Sequence, residues 1–178
     1  GPLHPVRQHW SIARLASKLP CMTSLRKFRV AIVGATGVVG EKMREQLEAR
    51  AFPIETLRLF ASEKSAGRRV RFGGRDITLE KLDRQGFTGV EIVLSSTPAA
   101  VSREWSPIAA NAGAVVIDNS SAWRMDPDVP LVVPEVNVAA LANLRKGIVA
   151  NPNCSTIQMV VALKPLHDLA RLKRITVS

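Results

Sequence analysis

Tyrosine is absent from the 178 residues, tryptophan occurs three times and phenylalanine five times, so the interleaved aromatic platform of a single-strand nucleic-acid binder is missing. Cysteine is nearly as scarce. Cys21 and Cys154 stand 133 positions apart, which is neither a disulfide framework nor a metal-ligand spacing, and a reducing compartment fits. No metal site is expected. No apolar run approaches the roughly 20 residues that span a bilayer, and the charge-free stretch from Val30 to Gly40 is broken by three glycines. No membrane partner is expected either. Acidic residues are missing from positions 1–29, which hold six basic ones: Arg7, Arg14, Lys18, Arg26, Lys27 and Arg29. The net charge of +10 and the pI near 10.6 are therefore mostly a property of that segment, since the remainder carries 19 basic residues against 15 acidic. A balance so close to even gives no reason to expect a nucleic-acid partner.

What is present begins with the basic leader. Gly1-Pro2-Leu3 resembles a cloning remnant, and Met22-Thr23-Ser24 resembles a natural start. Between them Ile12, Leu15, Ala16 and Leu19 share one helical face beside Arg7, Arg14 and Lys18, the composition of an organelle transit peptide. Residues 1–27 are read as a leader without fixed structure. A cytoplasmic location is expected, with organelle targeting through the leader as the alternative.

With 46% apolar and 22% charged residues over its 178 positions, the chain is long enough for one globular domain and the beginning of a second. Short β-branched runs alternate with segments of helical period. Strands are expected at 28–33, 57–61, 90–95 and 114–118, with a small hairpin of 70–72 and 77–79 around Gly73-Gly74. Helices are expected at 38–50 and 99–112. After Pro127, Pro130 and Pro134 come a helix near 138–144, a strand at 148–150, a helix from Ser155 to about Leu169 and a strand at 175–178. The alternation predicts an α/β fold, a doubly wound, mostly parallel sheet over 28–150. Residues 151–178 would begin a second domain, of α+β type.

Gly34-Ala35-Thr36-Gly37-Val38-Val39-Gly40 follows the first strand and opens the first helix, where a dinucleotide fold turns its backbone toward a pyrophosphate. Gly34 suits the tight turn, Gly37 lets the chain approach phosphates, and Gly40 allows close helix-on-strand packing. Free amides and the helix dipole attract the anion. The plainer reading is a structural strand-to-helix turn. After the second strand an NAD-preferring fold places an acid, whereas here the segment is Ser62-Glu63-Lys64-Ser65-Ala66-Gly67-Arg68-Arg69. Hydroxyls and cations suit a 2′-phosphate and hence NADP. Glu63 argues the other way, and a solvated loop is the plain alternative.

Asn151-Pro152-Asn153-Cys154-Ser155-Thr156 lies between a strand and a helix. That places Cys154 at a helix N-terminus, where unpaired amides and the dipole stabilise a thiolate. It is the candidate nucleophile, with an inert small apolar residue as the other reading; Ser155 and Thr156 are nearby capping candidates. A base is wanted within hydrogen-bond reach. His4 and His9 are in the leader, and His167 lies 13 positions along the same helix, about 20 Å away.

Five stretches taken in order give the chain from Val30 to Ser178 a family resemblance. They are Gly34–Gly40, Ser62–Gly67, Val116-Ile117-Asp118-Asn119-Ser120-Ser121-Ala122-Trp123-Arg124-Met125, Val132-Val133-Pro134-Glu135-Val136-Asn137 and Asn151-Pro152-Asn153-Cys154-Ser155-Thr156-Ile157-Gln158. Together they resemble the aspartate-semialdehyde dehydrogenases. The resemblance implies NADPH-dependent reductive dephosphorylation of L-aspartyl 4-phosphate to the semialdehyde, on the route to lysine, threonine, methionine and diaminopimelate. Cys154 would form a thioester with loss of phosphate. Thr36 to Val39 would hold the pyrophosphate, and Lys64 with Ser65 the 2′-phosphate. Arg124 would bind the substrate phosphate, with a surface salt bridge as its plain alternative, and Asn153 would contact phosphate or an oxyanion. The whole enzyme would be a homodimer or homotetramer. Ser95-Ser96-Thr97-Pro98 departs from the family's Ser-Ala-Gly-Gly. The family's later glutamine and acid–base histidine are not among these residues, so the chain alone is expected to be inactive. A non-catalytic nucleotide-binding relative is one alternative. Another is N-acetyl-glutamyl-phosphate reductase, whose cysteine motif reads Asn-Pro-Gly-Cys-Tyr.

Overall fold

Phe28–Val33 forms β1, and its last four residues are all buried. An apolar run without polar alternation is what a strand covered on both faces requires. The computed structural model describes residues 26–177; Cys21 and the leader through residue 25 lie outside the described residues. β2 spans Ile54–Ala61, β3 Arg69–Phe72, β4 Arg75–Lys81, β5 Ile92–Ser95, β6 Val115–Asp118 and β7 Ile148–Ala150. The sheet order is β3-β4-β2-β1-β5-β6-β7. Every neighbouring pair is parallel except the β3–β4 hairpin. From β1 the chain moves outward through β2, then returns to start β5 on the other side of β1. The order therefore reverses at β1 and β5, and a crevice opens at the carboxyl ends of those strands.

Helix α1 covers Val38–Ala49, α2 Ala99–Asn111, α3 Pro134–Asn137 and α4 Cys154–Ala170. Alternate residues of the strands feed two cores. Ala31, Val33, Phe60, Val93 and Val116 pack with Phe87 toward Trp105 and Ile108 of α2. Ile32, Leu59 and Leu79 pack toward Met43 and Leu47 of α1. Phe87 bridges Phe60 and Trp105, with ring centroids at 5.3 and 6.3 Å.

Three sequence expectations shift. β2 starts at Ile54 rather than 57, because pairing with β1 begins at Phe28, opposite Ile54, and the Phe28 amide donates to Pro53 O at 2.8 Å. The helix expected near 138–144 is instead α3 followed by a 3₁₀ helix, Val138–Asn143. Asn137 ties its side chain back to Val133 N and Leu131 O, both at 2.9 Å, and such local side-chain bonds compete with helix continuation. The strand expected at 175–178 does not form over its described residues 175–177. Ile175 and Val177 are 51% and 76% exposed, and an isolated strand has no ladder to satisfy its backbone.

Candidate active site

The turn after β1 is held by its neighbours. The amides of Gly34 and Ala35 both donate to Phe60 O at 3.0 Å. Gly34 has φ +83°, and a Cβ there would lie 2.2 Å from Ser96 O, so this turn passes directly against the loop after β5. Gly37 is the N-cap of α1 and offers no side-chain cap. A Cβ on Gly37 would find its nearest neighbour only at 3.5 Å. The first satisfied helical amide is that of Glu41, to Gly37 O at 2.9 Å. The amides of Val38, Val39 and Gly40 precede it, and helix geometry leaves them without an intrahelical acceptor. A cleft of about 330 Å³ opens here, lined among others by Gly34, Thr36, Gly37, Ser62, Thr97 and Trp105. Of the predicted loop residues, Gly34, Thr36 and Gly37 line the cleft, Val38 and Gly40 belong to α1 and do not line it, and Val39 faces a separate hollow beside Met43.

Ser62 lines the cleft, and the tight turn that follows carries Lys64 and Ser65, which do not line it. The amides of Ser65 and Ala66 both donate to Ser62 O, at 2.9 and 3.0 Å. Glu63 accepts from Lys81 Nζ at 2.6 Å. That bond, with the ammonium charge beside it, holds the Glu63 carboxyl below its ordinary value of 4.5. Lys64 is exposed and forms no ion pair among the described residues.

Beyond β6 the chain places Arg124 between two loops. Its Nε donates to Asn151 O at 3.0 Å and its Nη2 to Asn119 O at 3.1 Å. The same two loops are joined by Asn151 Nδ2 to Asn119 Oδ1 at 2.7 Å and by Asn151 N to Asp118 O at 3.2 Å. Among the described residues no carboxylate pairs with Arg124. The surface salt bridge is thus not what fixes it: two neutral carbonyls orient the guanidinium, and no carboxylate among the described residues takes up its remaining N–H groups.

Cys154 is the first residue of α4, is exposed and is not in a disulfide. The helix cap is Asn153 rather than Ser155 or Thr156. Its Oδ1 accepts from Thr156 N at 2.8 Å and from Ser155 Oγ at 3.2 Å, which leaves Nδ2 as its available donor. α4 runs unbroken to Ala170, so His167 sits 13 residues along it, about 20 Å from the thiol.

Sequence reasoning missed Asp118. It is fully buried at the end of β6, and its bonding partners among the described residues are hydroxyls and one amide, not a cation. Oδ2 accepts from Ser102 Oγ at 2.5 Å and Ser106 Oγ at 3.1 Å; Oδ1 accepts from Ser120 N at 2.8 Å and from Ser120 Oγ. Trp123 Nε1 donates to Ser102 Oγ at 2.8 Å. The carboxylate thereby fastens the Arg124 loop to the first turns of α2, whose residue Val101 lines the cleft. A signal was available. Ser102 and Ser106 are four apart in a helix of mainly apolar residues, which puts two hydroxyls on one face, here the buried one.

Comparison with known proteins places these features in a family context. The family model described as "Semialdehyde dehydrogenase, NAD binding domain" matches residues 29–144. Over 153 residues the chain is 56% identical to the aspartate-semialdehyde dehydrogenase of Aquifex aeolicus, covering 85% of this chain and 45% of that protein. Its backbone superposes with TM-score 0.78 and 53% identity on aspartate semialdehyde dehydrogenase II of Vibrio cholerae complexed with ASA, over 80% of this chain and 47% of that one. The Candida albicans aspartate semialdehyde dehydrogenase with NADP gives 0.66 and 28%, over 82% and 48%. The chain spans a little under half the length of the curated relatives it matches.

Proposed function

Since this chain belongs to the semialdehyde dehydrogenase family through its NAD-binding domain, we propose that it forms the nucleotide-binding and nucleophile-bearing part of an aspartate-semialdehyde dehydrogenase. The reaction is the NADPH-dependent conversion of L-aspartyl 4-phosphate to L-aspartate 4-semialdehyde and phosphate, feeding lysine, threonine, methionine and diaminopimelate synthesis. The observation that carries the reading is the unneutralised Arg124, held by Asn119 and Asn151, in the loop system that also presents Cys154.

Arg124 receives the substrate phosphate, because a fork fixed on one side by carbonyls offers its other donors in a set direction. Asn153 Nδ2 adds a neutral donor beside the nucleophile. The Cys154 sulfur attacks the acyl carbon, a C–S bond forms, and the C–O bond to phosphate breaks with its electron pair leaving on phosphate. Gly34, Thr36 and Gly37, with the amides opening α1, hold the pyrophosphate of the dinucleotide, and Lys64 and Ser65 its 2′-phosphate. The cleft suits this group because Gly37, which lines it, leaves its nearest neighbour 3.5 Å from where a Cβ would stand, and the amides that open α1 have no intrahelical acceptor. When bound, the dinucleotide supplies the hydride that reduces the acyl group. The C–S bond then breaks and the thiolate is restored.

Proton transfer requires a group other than His167, the single histidine among the described residues. Residues 151–177 are read as the start of a second domain: α4 has 17 residues and none is buried. The longer protein is tested with aspartate semialdehyde, phosphate and NADP⁺. Cys154→Ala should abolish reduction of the nucleotide, and the 178-residue chain alone should give no turnover. Undiminished activity in Cys154→Ala, or a preference for the N-acetylglutamate semialdehyde, would contradict the proposal.

A further inference from the structure

Glu63 stands two residues past the end of β2, where an NAD-preferring fold places the acid that grips the ribose 2′-hydroxyl. Its Oε1 is instead bonded to Lys81 Nζ at 2.6 Å. Lys81 ends β4 opposite Ala61 in the parallel β2–β4 pair. Because β2 lies between β1 and β4, the ion pair draws the carboxylate to the flank of β2 that faces away from β1 and its glycine turn. The end of β4 belongs to the same rim, since Leu82, the next residue, lines the cleft together with Ala61 and Ser62.

We infer that Lys81 is a specificity-determining residue: by holding Glu63 on the β4 side and neutralising it, Lys81 keeps the turn from Ser62 to Ser65 open to a 2′-phosphate. The inference rests on the dinucleotide reading of the cleft given above. Lys64 and Ser65 supply attraction, and Lys81 removes a repulsion that would otherwise act on the same phosphate. The two side chains are 63% and 79% exposed, and an exposed ion pair contributes little to folding. Its loss changes the charge at the rim and leaves the sheet intact.

The test uses Lys81→Met, which keeps the length of the stem, with Glu63→Gln and the double variant in the 178-residue chain. NADPH and NADH are titrated separately by fluorescence. The ratio of NADPH to NADH affinity should fall about tenfold in Lys81→Met, as expected when one uncompensated charge is brought near a dianion. Glu63→Gln should not lower the ratio, and the double variant should return it to the wild-type value. An unchanged ratio in Lys81→Met overturns the inference, as does a ratio that stays low in the double variant. If wild type binds neither nucleotide, the dinucleotide reading itself fails, and the inference falls with it.

Discussion

Arg124 donates through Nε to the carbonyl of Asn151 at 3.0 Å, three residues before Cys154. The bond ties the Arg124 guanidinium to the strand-to-helix passage that presents the thiol. Lysine cannot reproduce this, since one ammonium cannot hold two carbonyls in the plane of a fork and still present a bidentate edge. Arg124→Lys should weaken inorganic phosphate binding about tenfold, the order of one charge-assisted bond, with NADPH affinity unchanged. Calorimetric titration of each ligand checks the split, and equal loss of both would point to collapse of the loop.

Gly34 and Gly37 should respond oppositely to alanine. At Gly34 a methyl meets Ser96 O at 2.2 Å on a backbone with φ +83°, so Gly34→Ala should cost about 2–4 kcal/mol of stability. At Gly37 φ is −74° and the nearest atom to a Cβ is 3.5 Å away. Gly37→Ala should fold normally and lose nucleotide affinity, since in the proposed binding mode the added methyl would stand where phosphate approaches. Urea unfolding beside NADPH titration separates the two. A destabilised Gly37→Ala that binds normally would reverse the assignment.

Asp118→Ala would strip the acceptor from three hydroxyls and one amide in a buried site. A loss of about 3 kcal/mol or more is expected from the stranded donors, visible as an earlier urea midpoint. Asp118→Asn keeps one acceptor oxygen and should fall between. A neutral effect of Asp118→Ala would mean the network contributes nothing to holding α2 against the Arg124 loop.

Besides Glu63, two carboxyls sit below their ordinary values: Glu91, through the Arg29 amide and then the Arg26 guanidinium, and Asp126, through the Lys146 ammonium and then the Asp128 amide. A depressed folded value stabilises fully above the unfolded value, about 4.5 for Glu91 and 3.8 for Asp126, and is lost as pH falls through the folded one. The melting temperature should therefore be flat between about pH 5 and pH 8 and decline below that. Glu91→Gln should lower it at neutral pH and have little effect in strong acid. A Glu91→Gln deficit that persists undiminished at low pH would show that lost packing, not charge, is responsible.

Much of this arrangement was legible because periodicity and punctuation report local chemistry. The run 28–33 and the glycines at 34, 37 and 40 specify a strand, a turn and a helix within a dozen residues, and the structure has them where the pattern puts them. Cys154 was legible for the same reason, as a residue between an apolar strand and an apolar helix. Long-range partners were not. Nothing in the spacing of Glu63 and Lys81 says that β4 lies beside β2, and that adjacency decides which way Glu63 faces. Asp118 needed Ser102 and Ser106 brought from another element. The run at 175–177 has strand composition, but composition cannot say whether a neighbouring ladder exists.

Acylation of Cys154 tests the account most directly. The chain is incubated with L-aspartyl 4-phosphate in the absence of any nicotinamide, then quenched in acid and mapped by peptide mass spectrometry. One aspartyl group, labile to hydroxylamine, should appear on the peptide containing Cys154, be absent from Cys154→Ala, and be much reduced in Arg124→Ala. An unmodified Cys154, or an acyl group carried by another residue, would contradict the central claim.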